Sequence, residues 1–220
     1  IGSDQLTNLM ILSVDTSSME EKIKNIEPVV LGNSYQLKKG AFILAVGSPV
    51  GVSRSIDIGN ITAIDKNASF FDGYGRVIYC DKHLDSVGTF LLDTSGNLVG
   101  VVSNLDDSSS ISMAYGISDL KVLIENMTNG VGSAYLGVRA LDIDKDKAPE
   151  GMPSGIYVSE VRADSPAYNI GIQSGDIISM IGSEEVNSIT GFKNIMEKLK
   201  PNQVVNIKVN RSGKDGFTEL

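Results

Sequence analysis

The hydrophobic pattern in the first half of the chain is that of short strands separated by turns. Residues Ile56 to Ile64 alternate apolar and polar positions with a period of two, which predicts a strand with one buried face. Leu9 to Val14 and Val77 to Tyr79 are compact apolar runs that predict two further strands. A hairpin is predicted around Ser95-Gly96, because apolar residues flank it and Gly96 can adopt positive φ. This half is therefore predicted to be mainly β.

Helical spacing of apolar residues appears only later in the chain. Ser118 is predicted to cap a helix that runs to Met127. Ser165-Pro166-Ala167 predicts the start of a short helix, with a capping serine before a proline in the first turn. Thr190 to Lys200 predicts a further helix with an apolar stripe formed by Phe192, Ile195, Met196 and Leu199. A last hairpin turn is predicted at Ser212-Gly213.

Chain length and a glycine-rich segment together predict two domains. The 220 residues are enough for two domains of about 100 residues each. Asn129 to Ser133 contains two glycines and follows the predicted helix directly, which is typical of a linker. The predicted domains are therefore residues 1–128 and 131–220.

Charge and cysteine content exclude several classes of function. The net charge of −8 argues against nucleic-acid binding, which depends on clustered Lys and Arg. Cys80 is the single cysteine, so no intrachain disulfide can form, and it is interpreted as a small buried apolar side chain. The sequence contains no apolar run of about 18 residues, so no membrane span is predicted. The chain begins at Ile1 in the middle of a pattern, so we expect it to be part of a longer protein.

Three aspartates at odd spacing, Asp142, Asp144 and Asp146, superficially resemble a calcium-binding loop. Such a loop needs glycine at its sixth position and glutamate at its twelfth. Lys147 and Pro153 occupy those positions here. We therefore predict a solvated loop, no metal site and no cofactor.

Four blocks in the first part of the chain resemble the HtrA (Deg) family of trypsin-like serine proteases. The family patterns are Leu-x-x-Gly with an apolar run and Gly-Asn-Pro-Phe-Gly, then Thr-x-Gly-Ile-(Val/Ile)-Ser-Ala, Ile-Gln-Thr-Asp and Phe-Ala-Ile-Pro. The corresponding blocks, in the same order, are Leu37 to Gly51, Ile58 to Ala63, Ile78 to Asp81 and Tyr115 to Ser118. The resemblance implies a mainly β fold with a trypsin-like (chymotrypsin-type) β-barrel, mostly the second barrel, over residues 1–128.

The second part of the chain resembles the PDZ domain of the same family. The matching blocks are Tyr135 to Val138, Gly155 to Val158, Ser165 to Ala167 and Gly171 to Ile178. The resemblance implies a site for peptides or protein C-termini, whose carboxylate is bound by backbone N–H groups of one loop. The residues predicted to bind the peptide are Tyr135, Leu136, Gly137, Val138, Ile195 and Met196.

The catalytic positions that the resemblance implies are occupied by unsuitable residues. The family's triad aspartate falls on Asn8, whose amide cannot stabilise an imidazolium. An alignment without gaps places Val87 at the nucleophile and Asp85 at an oxyanion-binding position, where its charge is repulsive. With one inserted residue, Ser86 becomes the alternative nucleophile. His83 is interpreted as a surface histidine rather than the base, which is expected to precede Ile1.

Two functions follow from these patterns. The preferred one is a catalytically degenerate HtrA-like protein that recognises exposed C-terminal peptides of partner or misfolded proteins through its PDZ domain. The alternative is an active extracytoplasmic serine endopeptidase that uses Ser86. A purely structural subunit of an oligomer is a third interpretation. The resemblance also implies an extracytoplasmic location, a membrane anchor in a preceding segment, and assembly into a homo-oligomer, as a trimer.

Overall fold

A computed structural model describes residues 1–4, 6–7, 9–82, 84, 88–102, 113–144, 146, 148–214 and 216–220. These residues divide into two compact units. The first unit comprises Ile1–Ala68 and Gly75–Val131, and the second comprises Ser69–Tyr74 and Gly132–Leu220. The segment Ser69–Tyr74 thus packs with the second unit, although the predicted domain limits place it in the first.

The first unit is built around a barrel. In chain order its elements are β1 (Gly2–Ser3), β2 (Met10–Ile11), α1 (Glu21–Lys24), a 3₁₀ turn (Ser34–Gln36), β3 (Phe42–Gly47), β4 (Ser55–Phe70), β5 (Gly73–Cys80), β6 (Phe90–Leu92), β7 (Leu98–Val101), β8 (Met113–Gly116) and α2 (Ile117–Thr128). In the described part of the chain, six strands close this barrel in the order β3-β4-β5-β8-β7-β6. The prediction of a mainly β fold with a barrel is confirmed.

The barrel interior is filled by alternate apolar residues of its strands. Ile43 on β3, Ile61 on β4 and Ile78 on β5 are fully buried and pack in one cluster with Leu91. Cys80 lies in the same cluster, as its interpretation as a buried apolar side chain requires. Burial, together with the nearby Asp81 carboxylate, raises the pKa of the Cys80 thiol to about 12. The thiol is therefore protonated, and a poor nucleophile, at neutral pH.

Of three local predictions for the first unit, one is confirmed and two are wrong. Gly96 has a φ of 81° in the turn between β6 and β7, as predicted. The sequence predicts a buried strand over Leu9 to Val14, but only Met10–Ile11 forms a strand and Met10 is exposed. Among the described strands, β2 pairs only with the two-residue β1, so no larger sheet covers it. Ser118 does not cap α2: the helix begins at Ile117, and the Ser118 hydroxyl accepts the Ser34 N–H at 2.9 Å.

The hairpin of β4 and β5 is longer than its apolar pattern predicts. The alternation ends near Ile64, yet β4 continues to Phe70 and β5 begins at Gly73. Asp72 lies in the turn with a φ of 58°, a left-handed conformation that aspartate tolerates better than most residues. The far end of this hairpin, Ser69–Tyr74, belongs to the second unit. We call this segment the hairpin tip.

The second unit is a sheet with two helices. Besides the hairpin tip, its elements are β9 (Val138–Asp142), β10 (Ile156–Val161), α3 (Pro166–Asn169), β11 (Ile177–Ile181), β12 (Glu184–Glu185), α4 (Ile189–Lys198), β13 (Ile207–Gly213) and β14 (Gly216–Glu219). The described strands follow the order β14-β13-β11-β10-β9, with β12 paired to β11. β9 is therefore an edge of this sheet. The core surrounds Phe192 of α4, which is fully buried.

Local signals in the second unit mostly position its helices correctly. The Ser165 hydroxyl caps α3 by accepting the Tyr168 N–H at 3.2 Å, and Pro166 occupies the first turn as predicted. The predicted turn at Ser212-Gly213 is wrong, because both residues belong to β13 and Gly213 pairs with Gly216. No helix within the described residues is long and apolar enough to cross a membrane.

Candidate functional site

Three consecutive backbone N–H groups of the second unit converge on one carboxylate. Leu136 N donates to Asp72 Oδ2 at 2.7 Å, and Val138 N donates to Asp72 Oδ1 at 3.0 Å. Between them, Gly137 N lies 2.9 Å from both oxygens. Asp72 is only 7% exposed, so its carboxylate is largely removed from water and these N–H groups donate to it. Successive N–H groups arranged in this way form an anion-binding nest.

The nest has its shape because the carbonyl groups of the same peptides are held on the opposite side. Leu136 O accepts the Ala167 N–H at 2.9 Å, and Gly137 O accepts the Arg162 N–H at 2.9 Å. Gly137 has a φ of 88°. A Cβ atom at Gly137 would lie 2.7 Å from Ser165 Oγ and also overlap Ser165 Cβ. Glycine is thus required here by both conformation and space.

The hairpin tip runs along the edge of the sheet as an additional strand. Asp72 N donates to Val138 O at 2.7 Å, and Phe71 forms an antiparallel bridge with Arg139. The Ser69 hydroxyl donates to Ala140 O at 3.1 Å. The backbone of residues 69–72 therefore follows β9 in the antiparallel direction and places the Asp72 carboxylate at the nest.

Side chains from two elements hold the same segment. The Arg139 guanidinium lies 4.9 Å from the centre of the Phe71 ring, and Arg162 lies 6.0 Å from it. On α4, Lys193 Nζ donates to Tyr74 O at 3.3 Å and lies 5.2 Å from the Tyr74 ring. The hairpin tip thus contacts both β9 and α4. We call the space between these two elements, which the tip occupies, the groove.

An apolar cleft of about 420 Å³ adjoins the nest. Tyr135 and Leu136 line it on the loop side, and Met196 and Leu199 line it from the α4 side. Burial raises the pKa of the Tyr135 hydroxyl above its usual range. The residues that line the cleft include none from the hairpin tip. Space for an apolar side chain is therefore next to the carboxylate site.

Comparison with known proteins identifies this arrangement. Residues 134–220 match the family described as PDZ domain. Over 239 residues the chain is 29% identical to "Serine protease Do-like HtrA" of Bacillus subtilis (strain 168), covering 98% of this chain and 52% of that protein. Over 224 residues it is 27% identical to "Probable periplasmic serine endoprotease DegP-like" of Halomonas elongata, covering 97% and 46%.

Solved structures agree with these relatives. The structure "HtrA-type protease AlgW with tripeptide" has a TM-score of 0.54 and 28% identity, with 89% of this chain and 68% of that chain covered. "HtrA-type protease AlgW with decapeptide" has a TM-score of 0.54 and 25% identity, with 89% and 63% covered. The chain belongs to the HtrA family. It spans about half the length of the curated relatives it matches.

Within this HtrA protein, the barrel of the first unit is trypsin-like and the second unit contains the PDZ domain. Sequence reasoning predicts that Leu136, Gly137 and Val138 bind a carboxylate, and the structure brings their N–H groups together on Asp72. Met196 and Ile195 both belong to the core cluster, but only Met196 also lines the adjoining cleft. Asp72 was missed, although Asp72-Gly73 after two phenylalanines is a hairpin signal.

The predicted catalytic positions of the HtrA fold lie outside the described residues. These are Asn8, Asp85, Ser86 and Val87. His83, which is interpreted as a surface histidine, also lies outside the described residues. Their assignments, including the choice between Ser86 and Val87 as the nucleophile position, remain predictions.

Proposed function

We propose that this HtrA-family protein binds exposed C-terminal segments of other proteins in the groove between β9 and α4. The observation that carries the proposal is the convergence of the Leu136, Gly137 and Val138 N–H groups on a carboxylate. A nest that accepts a side-chain carboxylate has the geometry and charge to accept a terminal one. Peptides are named in the titles of the related AlgW structures, which adds support.

The apolar cleft indicates the preferred last residue of the ligand. Its lining by Leu136, Met196 and Leu199 favours an apolar terminal side chain, whose burial contributes about 1.5–3 kcal/mol. The proposal assigns this contact to Met196 rather than to Ile195, because Met196 lines the cleft and Ile195 does not. Tyr135, which also lines the cleft, completes the site.

A matched pair of peptides tests the proposed site. A decapeptide with a free C-terminal valine carboxylate should bind the full chain with a micromolar Kd. This corresponds to a binding free energy of about −8 kcal/mol. The same peptide with an amidated terminus should bind about 10- to 100-fold more weakly, because it loses charge-assisted hydrogen bonds to the nest. Isothermal titration calorimetry measures both affinities. Equal affinities for acid and amide would contradict a carboxylate site at this loop.

We further propose that the trypsin-like barrel is catalytically inactive. The proposal rests on the residue types at the matching positions: Asn8 for the triad aspartate, Val87 for the nucleophile and Asp85 at the oxyanion site. The alternative is an active serine endopeptidase that uses Ser86.

Relatives named as periplasmic proteases support an extracytoplasmic location. Membrane anchoring by a preceding segment, trimer formation and a role in protein quality control are proposed from the family resemblance alone.

An active-site probe separates the two alternatives. A fluorophosphonate reagent applied to the complete gene product should label no residue, because a valine at the nucleophile position has no oxygen to react. Trypsin under the same conditions provides the positive control, and a Ser86→Ala variant identifies the labelled site if labelling occurs. Stoichiometric labelling that disappears in Ser86→Ala would establish the active alternative.

A further inference from the structure

We propose that the hairpin tip is a built-in ligand of the peptide groove, and that a protein C-terminus binds by displacing Asp72 from the nest. The inference rests on the proposed function, since it describes how access to that same site is regulated. It names a competitor that is part of the chain and a ligand class able to replace it: peptides with a terminal carboxylate and an apolar last side chain.

The hairpin tip reproduces the interactions expected of a bound peptide end. Its carboxylate meets three N–H groups, and Asp72 N donates to Val138 O in the next position along β9. The antiparallel bridge between Phe71 and Arg139 continues the pairing away from the nest. Strand addition of this kind is how extended peptides bind sheet edges. The side-chain carboxylate of Asp72 thus takes the position of a terminal carboxylate.

The turn geometry explains how a continuous chain can imitate a chain end. A peptide stops at its terminal carboxylate, whereas the hairpin must turn back immediately after Asp72. The left-handed conformation of Asp72, with φ 58°, and the glycine that follows it make this reversal. Lys193 holds the returning strand through its hydrogen bond to Tyr74 O. Non-glycine residues with positive φ are uncommon and often mark functional positions.

The imitation is incomplete at one place, and this determines what can displace it. Asp72 uses its only side chain as the carboxylate, so it has none left for the apolar cleft. The cleft of about 420 Å³ is lined by Leu136, Met196 and Leu199 and by no residue of the hairpin tip. A true C-terminus carries a carboxylate and a side chain on the same residue. An apolar terminus therefore gains a contact that the hairpin tip lacks.

Removing the internal carboxylate should strengthen peptide binding. In the full chain, Asp72→Asn keeps the size of the side chain and removes its charge. When a competing state is destabilised, the groove is open in a larger fraction of molecules, and the apparent Kd falls in inverse proportion to that fraction. Calorimetry with the decapeptide acid described above should therefore give about 10- to 100-fold tighter binding to Asp72→Asn than to the wild type. Asp65→Asn, on exposed β4 of the same hairpin, is the matched control and should change the Kd by less than about 2-fold.

A second measurement keeps Asp72 in place, so it is informative even if Asp72→Asn does not melt cooperatively. The chain contains no tryptophan, and Tyr74→Trp would report the environment of the hairpin tip. Titration with the decapeptide acid should shift the tryptophan fluorescence emission of this variant. The midpoint of that shift should match the midpoint of the calorimetric titration. Unchanged emission at saturation would overturn the internal-ligand proposal.

The outcomes also separate this inference from the function on which it rests. If wild type and Asp72→Asn bind the acid peptide equally and both reject the amide, the groove is a carboxylate site but the hairpin tip is not its competitor. If neither protein distinguishes acid from amide, the proposed function itself is wrong. Tighter binding by Asp72→Asn, with rejection of the amide retained, supports both.

Discussion

Replacing Gly137 with alanine should lower the affinity for the decapeptide acid by about 100-fold or more and destabilise the second unit by about 2–4 kcal/mol. Gly137 has a φ of 88°, and an added Cβ would overlap the Ser165 side chain that caps α3. Relief of the overlap must move the loop, and the three N–H groups then no longer converge. Calorimetry measures the affinity, and denaturant unfolding measures the free energy of unfolding.

Gly151→Ala is the matched control for that substitution. Gly151 also has a left-handed φ, 81°, but no heavy atom lies within 4 Å of an added Cβ. The substitution should therefore cost only the conformational penalty of about 1 kcal/mol and leave the peptide affinity unchanged. Equal losses of stability in the two variants would show that the close approach of Ser165 to Gly137 has no energetic consequence.

Replacing Arg211 with alanine should lower the free energy of unfolding by about 2–4 kcal/mol. Arg211 Nε and Nη2 each donate to one oxygen of Asp176 at 2.7 Å, and Nη2 also donates to Gly171 O at 2.8 Å. The Asp176 side chain is 1% exposed, whereas that of Arg211 is 35% exposed. Among the described residues, truncation of the arginine therefore leaves the buried carboxylate with one hydrogen-bond donor, Gln173 N, at 2.8 Å.

Lys208→Ala on the same strand controls for the loss of a positive charge from β13. Lys208 Nζ lies 3.1 Å from Glu219 Oε2, but both side chains are well exposed. Exposed pairs contribute about 1 kcal/mol or less because water screens them and the side chains must be ordered. Unfolding in urea should therefore show a clearly larger loss of unfolding free energy for Arg211→Ala than for Lys208→Ala. A loss from Lys208→Ala as large as that from Arg211→Ala would mean that burial of Asp176 is not the cause.

Elements with strong local signals were predictable from the sequence. The Gly96 turn, the Ser165 cap with Pro166 and the apolar stripe of α4 each depend on neighbouring residues, so their patterns identify them directly. The loop that contains Gly137 was also found, because its motif combines a special glycine with strand residues. For the proposed peptide site, the sequence therefore pointed to the three N–H groups that surround the Asp72 carboxylate.

The ligand-like hairpin tip was not predictable in the same way. Asp72 meets Leu136 across 64 residues of sequence, and no local pattern specifies such a pairing. The alternation in β4 fades after Ile64 because the strand leaves the barrel core, so its true length is hidden. Overestimation of the strand at Leu9 to Val14 has the opposite cause: an apolar run predicts burial only where a sheet covers it.

The covalent connection of the hairpin tip at both of its ends gives the groove a ligand that dilution cannot remove. Because Ser69 follows Ala68 and Tyr74 precedes Gly75 of the first unit, the tip competes at a fixed effective concentration, of the order of millimolar for a short tether. A free peptide must therefore exceed this effective concentration or bind the groove with higher intrinsic affinity than the hairpin tip does. On our proposal, occupancy of the groove thus depends on the abundance of suitable termini and not on the abundance of the protein itself.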